Sequence, residues 1–202
     1  MKFRNSFIVL ILIFVVGYTL SQSYSSSNAQ LESTTANQTE FTSYNNTEFG
    51  ISFDYPSNWE VSEKTNRFDT ATPDVKVTSP DNPMNSFSFL NHYETSDESL
   101  ASIGLKETAE GYADAFIANP GSILIEDVNN SKYTIDGNPT ATFLFTDPGN
   151  MYGSDKDIGN QFFMVEYNDK LYAVGYKDTV DNFDSPQSQE IMERIISSFR
   201  FY

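Results

Sequence analysis

The sequence predicts an α+β domain, an antiparallel β-sheet flanked by helices, on three observations. Apolar residues alternate with polar ones in several short runs, the turns between these runs are short, and only two stretches carry helical spacing. A doubly wound parallel fold would need a helix between successive strands, and most of the runs here follow one another directly.

The first run is the seed of the domain. Ile51, Phe53 and Tyr55 alternate with Ser52 and Asp54, which puts three large apolar side chains on one face of a strand. Gly50 opens it and Pro56, which cannot donate to a ladder, ends it. Trp59, the only tryptophan, follows where the chain turns back, and it is expected in the core. Residues 75–78 and 86–91 read as two further strands, the second with Phe87 and Phe89 on one face, joined by the open loop Ser79-Pro80-Asp81-Asn82-Pro83. A helix is expected next: Thr95 and Glu98 form a capping box, and Leu105, Ala109, Tyr112 and Phe116 recur at helical spacing up to Asn119-Pro120-Gly121. Gly104 and Gly111 lower its propensity, so packing must hold it.

Period two then returns. Ile123 and Ile125, Tyr133 and Ile135, and Ala141, Phe143 and Phe145 form an expected meander, turning at Asn129-Asn130 and at Asp136-Gly137. Residues 162–167 and 171–176 form a hairpin through Asn168-Asp169. Ser185 caps the last helix with Pro186 at its first position, and Ile191, Ile195 and Phe199 lie four apart along one face. Asp178, Asp181 and Asp184 place negative charge near its N-terminus.

Ahead of the domain, Lys2 and Arg4 precede an apolar run over residues 7–20, and small residues end in Ser27-Asn28-Ala29. This is the pattern of a secretory signal. The run is shorter than the roughly 20 residues of a spanning helix, so residues 1–29 read as a signal peptide cleaved after Ala29, the alternative being an uncleaved N-terminal anchor. Residues 30–39 are a flexible polar linker, too poor in apolar groups to bury, and the domain occupies residues 40–202. The protein is therefore expected to be secreted or held on the outer face of the cell membrane. Asn37, Asn45 and Asn129 head N-x-S/T triplets in expected linker or turn and are glycosylation candidates.

The chain carries 12 basic and 28 acidic residues, a net charge of −16, and no cysteine. Removal of residues 1–29 takes away Lys2 and Arg4 and no acid, leaving a net charge of −18. Such a surface repels nucleic acid and anionic lipid; membrane contact is expected only through an uncleaved N-terminal segment. The fold has no disulfides and must rely on its own core.

The stretch Tyr44-Asn45-Asn46-Thr47-Glu48-Phe49-Gly50-Ile51-Ser52-Phe53-Asp54-Tyr55-Pro56-Ser57-Asn58-Trp59 resembles the opening hairpin of the PsbP family. Tyr133-Thr134-Ile135-Asp136-Gly137-Asn138-Pro139 and the terminal Ile195-Ile196-Ser197-Ser198-Phe199 are similar to that family's second half, so the resemblance runs from about residue 40 to the C-terminus. It implies an α-β-α sandwich, within a superfamily that also holds binders of a small GTPase. Plant members stabilise the oxygen-evolving side of photosystem II and help retain calcium and chloride there, docking through a long N-terminal segment and basic residues. Here the tail is polar and the domain acidic, so no docking or ligand residue is carried over.

Signatures of catalysis are missing. The sole histidine, His92, stands at the end of an expected strand with no nucleophile elbow in the chain. G-x-x-x-x-G-K-[ST], G-x-G-x-x-G and H-E-x-x-H are absent, and a Cys/His zinc site is impossible. The expectation is an exported non-enzymatic accessory protein acting by surface contact with an envelope or extracellular protein, with no cofactor. The alternative is a calcium-binding module on the loop 147–160, with Asp147, Asp155 and Asp157 as ligands. That loop lacks the third oxygen position and the closing glutamate of a calcium loop, and a solvated polar connection is its simpler reading. A hydrolase is a third alternative, requiring buried carboxylates clustered in one deep pocket.

Overall fold

The seed strand forms where the alternation places it. The computed structural model describes residues 39–64, 73–92 and 104–202; the expected signal peptide, most of the linker, Asn37 and the Thr95 and Glu98 capping box lie outside them. Strand β1 (Phe41–Asn46) turns through Gly50 into β2 (Ile51–Pro56), and β10 (Arg200–Phe201) pairs on the other side of β2. Gly50 needs its φ of +66°, and a Cβ there would sit 3.0 Å from the Tyr202 carbonyl, where the chain end closes this small sheet. Ile51 and Phe53 are fully buried, and Trp59 is in the core as expected.

The other strands make one antiparallel sheet of seven, in the order β3 (Glu60–Glu63), β4 (Val75–Thr78), β5 (Ser86–His92), β9 (Lys170–Thr179), β8 (Ile158–Tyr167), β7 (Asn138–Asp147) and β6 (Ile123–Ile135). His92 closes β5 opposite Leu171. One face receives β2 and helix α3 (Pro186–Ser198). Phe53 stacks on Phe199 with centroids 5.7 Å apart and meets Phe87 at 5.0 Å. Burying each such ring contributes about 2–3 kcal/mol from area alone. The opposite face receives helix α1 (Leu105–Ile117), whose Ala109 and Ala113 let Phe116 approach Phe143, Phe145 and Phe162. Residues 38–202 form one compact unit.

The expected cap of the last helix is in place. Ser185 caps α3, accepting the Ser188 N–H at 3.2 Å, with Pro186 in the first turn. Helix α3 stops at Ser198, so Phe199 is extended backbone and still fully buried. The described α1 begins at Leu105 after Gly104, which is held at φ +87°. A single helical turn α2 (Val180–Phe183) precedes α3. Asp178 is buried beneath it and accepts from the Ser188 hydroxyl at 2.7 Å and from Asn82 at 2.8 Å, so its charge ties α3 to the sheet.

Three expectations are corrected. Asn129-Asn130 is not a turn: β6 runs unbroken from Ile123 to Ile135, and register shifts against β7 absorb the extra residues. Asn129 is thus exposed on a sheet strand, and Asn45, also expected in a turn, is exposed on β1 opposite Ser52. Ile123 and Ile125 do not face the core; Leu124 between them packs there, opposite Phe145.

Candidate functional site

Asp147 ends β7 with its carboxylate turned inward, 3 % exposed. It accepts hydrogen bonds from the hydroxyl of Ser122, from the Tyr152 hydroxyl at 2.5 Å and from the Asn160 side-chain amide at 3.3 Å. A buried carboxylate is tolerated only with such donors. Burial, the hydrogen bond to Asp147 and that carboxylate's charge all push the Tyr152 hydroxyl far above its ordinary value, so it stays a donor. The Lys177 ammonium lies over the Tyr152 ring, 4.5 Å from its centroid. Burial, then the neighbouring Lys76, bring Lys177 down to about 8, against the pull of Asp147.

The connection from β7 to β8 is closed on itself. Residues Gly149–Tyr152 form a single 3-10 turn, Gly153 follows at φ +72°, and Ser154 N–H reaches back to the Gly149 carbonyl at 2.9 Å. A Cβ on Gly149 would fall 2.0 Å from the Lys156 carbonyl, so only glycine fits. Asp157 accepts the Gly149 N–H at 3.2 Å.

This arrangement separates the three aspartates proposed as calcium ligands. Asp155 and Asp157 are exposed, whereas Asp147 points into the core and spends its lone pairs on three side-chain donors. Among the described residues no three Asp, Glu, His or Cys side chains converge as a metal set. Asp181 pairs with Lys156 at 2.9 Å instead.

The outside of this same end is apolar. Ile123 pairs with Thr146, Asp147 with Ile158, and Ile158 with Thr179, so Ile123, the 149–152 turn and Val180 stand at one end of four neighbouring strands. Ile123 is 60 % exposed, Ile125 54 %, Met151 47 %, Val180 44 % and Tyr152 37 %. The only other exposed large apolar side chains among the described residues are Val61 and Tyr202. The sequence singled out the loop but not Tyr152 or Lys177. The one signal for Lys177 was a cation following an apolar run, and nothing marked Tyr152.

The grooves found elsewhere are open and mix both charges. One of about 580 Å³ is lined by Lys132, Tyr133, Asp136 and Arg200, and one of about 790 Å³ by Lys106, Asn130, Glu166 and Asp169. Neither brings a nucleophile to a base, and the buried carboxylate cluster of a hydrolase is not among the described residues.

A family model described as PsbP-like protein matches residues 6–201. The solution structure of cyanobacterial PsbP (CyanoP) from Synechocystis sp. PCC 6803 aligns with a TM-score of 0.55 at 18 % identity, covering 83 % of this chain and 96 % of that one. The crystal structure of LpqN, described as involved in cell envelope biogenesis of Mycobacterium tuberculosis, aligns with a TM-score of 0.46 at 11 % identity over 81 % of this chain and 91 % of that one. No curated protein sequence matches.

Proposed function

Because the chain belongs to the PsbP-like family, which is generally non-enzymatic, we propose that it is an exported accessory protein that docks on another protein of the cell envelope or extracellular space. The observation that carries this reading is the gathering of five of the seven exposed large apolar side chains among the described residues at one end of the sheet. Single exposed apolar residues are ordinary, but a group of them backed by a rigid, hydrogen-bonded loop is what a protein interface requires. The exported chain carries a net charge of −18, which favours a partner that presents an apolar patch with cations at its rim. Export rests on Lys2, Arg4 and the apolar run 7–20.

The test is the double substitution Ile123→Asp with Met151→Asp, compared with Val61→Asp on β3. In native electrophoresis of gently solubilised envelopes, the wild type and V61D are expected in a complex larger than the free chain, and the double variant as free chain. Equal migration of all three would refute docking through this end.

A further inference from the structure

We propose that the α1 face of the seven-stranded sheet carries a binding site for a small oxyanion, a carboxylate or phosphate group, held between Lys76 and Lys177 beside the hydroxyls of Ser86, Ser88 and Thr179. Strand register puts these residues together. Lys76 on β4 is opposite Ser88 on β5, and Ser88 is opposite Gly175 on β9. Ser86 is opposite Lys177, and Thr179 lies two residues beyond on the same face. Val77, Phe87 and Tyr176 belong to the core under α3, so their alternating neighbours face the other way. Between the two lysines the floor carries Thr78, Ser86 and Ser88, with Gly175 beneath the edge of the Phe162 ring, beside a face otherwise filled by Phe143, Phe145 and Met164. Lys76, Ser88 and Lys177 remain partly exposed, so a solute reaches them.

Neither lysine of the patch reaches a carboxylate among the described residues, as is also true of Lys132 and Lys170, and the Lys177 ammonium rests on the Tyr152 ring. Lys64, Lys106 and Lys156 each reach a carboxylate, in a chain with more than two acids per base. Lys76 and Lys177 sit close enough for Lys76 to depress the other's proton affinity. Asp147, the one carboxylate acting on Lys177, already serves three donors. The Ser86 and Thr179 hydroxyls are the only buried side-chain polar atoms among the described residues without a hydrogen-bond partner, and both flank Lys177. Two adjacent cations and two orphaned hydroxyls in one patch are the complement of a bound oxyanion, which accepts from both kinds of donor. This site adjoins the proposed docking face through Tyr152, whose ring lies under the Lys177 ammonium at 4.5 Å.

The probe is inorganic phosphate, and separately acetate, titrated calorimetrically into the full chain at pH 7 and fixed ionic strength. Saturable binding is expected, weakened at least about tenfold by Lys76→Met or Lys177→Met and falling as pH rises from about 7 to 9.5 with loss of the Lys177 proton. Ser88→Asp places a carboxylate between the lysines and guards against a merely unfolded variant: it should abolish phosphate binding while raising the melting temperature. No saturable binding, or binding indifferent to all three substitutions, overturns the site. Vesicles of phosphatidylglycerol in phosphatidylcholine are the second arm; lysine-dependent co-sedimentation without phosphate binding would assign the lysines to a lipid surface and equally overturn a solute site.

Discussion

At the scale of single residues, the chemistry concentrates on Lys177. Its folded-state value of about 8 lies below the ordinary 10.5 because burial disfavours the ammonium. The unfolded chain therefore holds more protons between those values, and stability rises with pH across that window. The burial penalty is fully present below about pH 8 and relieved above it. Lys177→Met removes the group, so wild-type stability relative to the variant should rise between about pH 8 and 10.5, read as a narrowing or reversing difference in denaturant midpoint in acetate-free and phosphate-free buffer. A constant difference across that range would mean the lysine is not desolvated. The sequence reading ended this strand at residue 176 and did not single out Lys177, nor its diagonal neighbour Lys76, which lies two strands away and about a hundred residues earlier. Asp147 was legible as an oxygen donor in a suspicious loop. Its inward orientation was not, because that depends on Ser122, just ahead of β6, and Asn160, on β8, meeting it in the fold.

At the scale of elements, strands with clean alternation were readable and short or bulged ones were not. Residues 51–55, 75–78 and 86–91 stand as strands where their alternation puts them, and 141–145, 162–167 and 171–176 also stand where expected although their strands are buried on both faces. The strands β1, β3 and β10 carry weak patterns and exist because a neighbour supplies their hydrogen bonds, which no local signal reveals. On β6 the period was misread: the register shifts turn Leu124 inward and leave Ile123 and Ile125 outside. The loop after β7 is the element that presents Met151 and Tyr152, and Gly149 is its keystone. Gly149→Ala forces a Cβ against the Lys156 carbonyl, so thermal unfolding should show a loss of about 1–3 kcal/mol, with faster hydrogen exchange confined to residues 149–157. Unchanged exchange there would show that the loop is not braced at this contact.

At the scale of the whole molecule, a single acidic domain without disulfides is held by two aromatic-rich cores on either side of one sheet. The fold class was legible because composition, turn spacing and alternation agree, and the family resemblance rested on the β1–β2 hairpin, whose Gly50 closes against the chain end. The exposed apolar end of the sheet was not legible, since its members come from β6, the 149–152 turn and α2, and only their exposure in the fold unites them. Placing a photoreactive amino acid at position 151 in the living cell, with position 61 as the matched exposed control, tests this face most directly. Docking through the sheet end predicts one discrete cross-linked partner from position 151 and none from position 61. Equal cross-linking from both positions, or none from 151 while the protein is folded and exported, would contradict it.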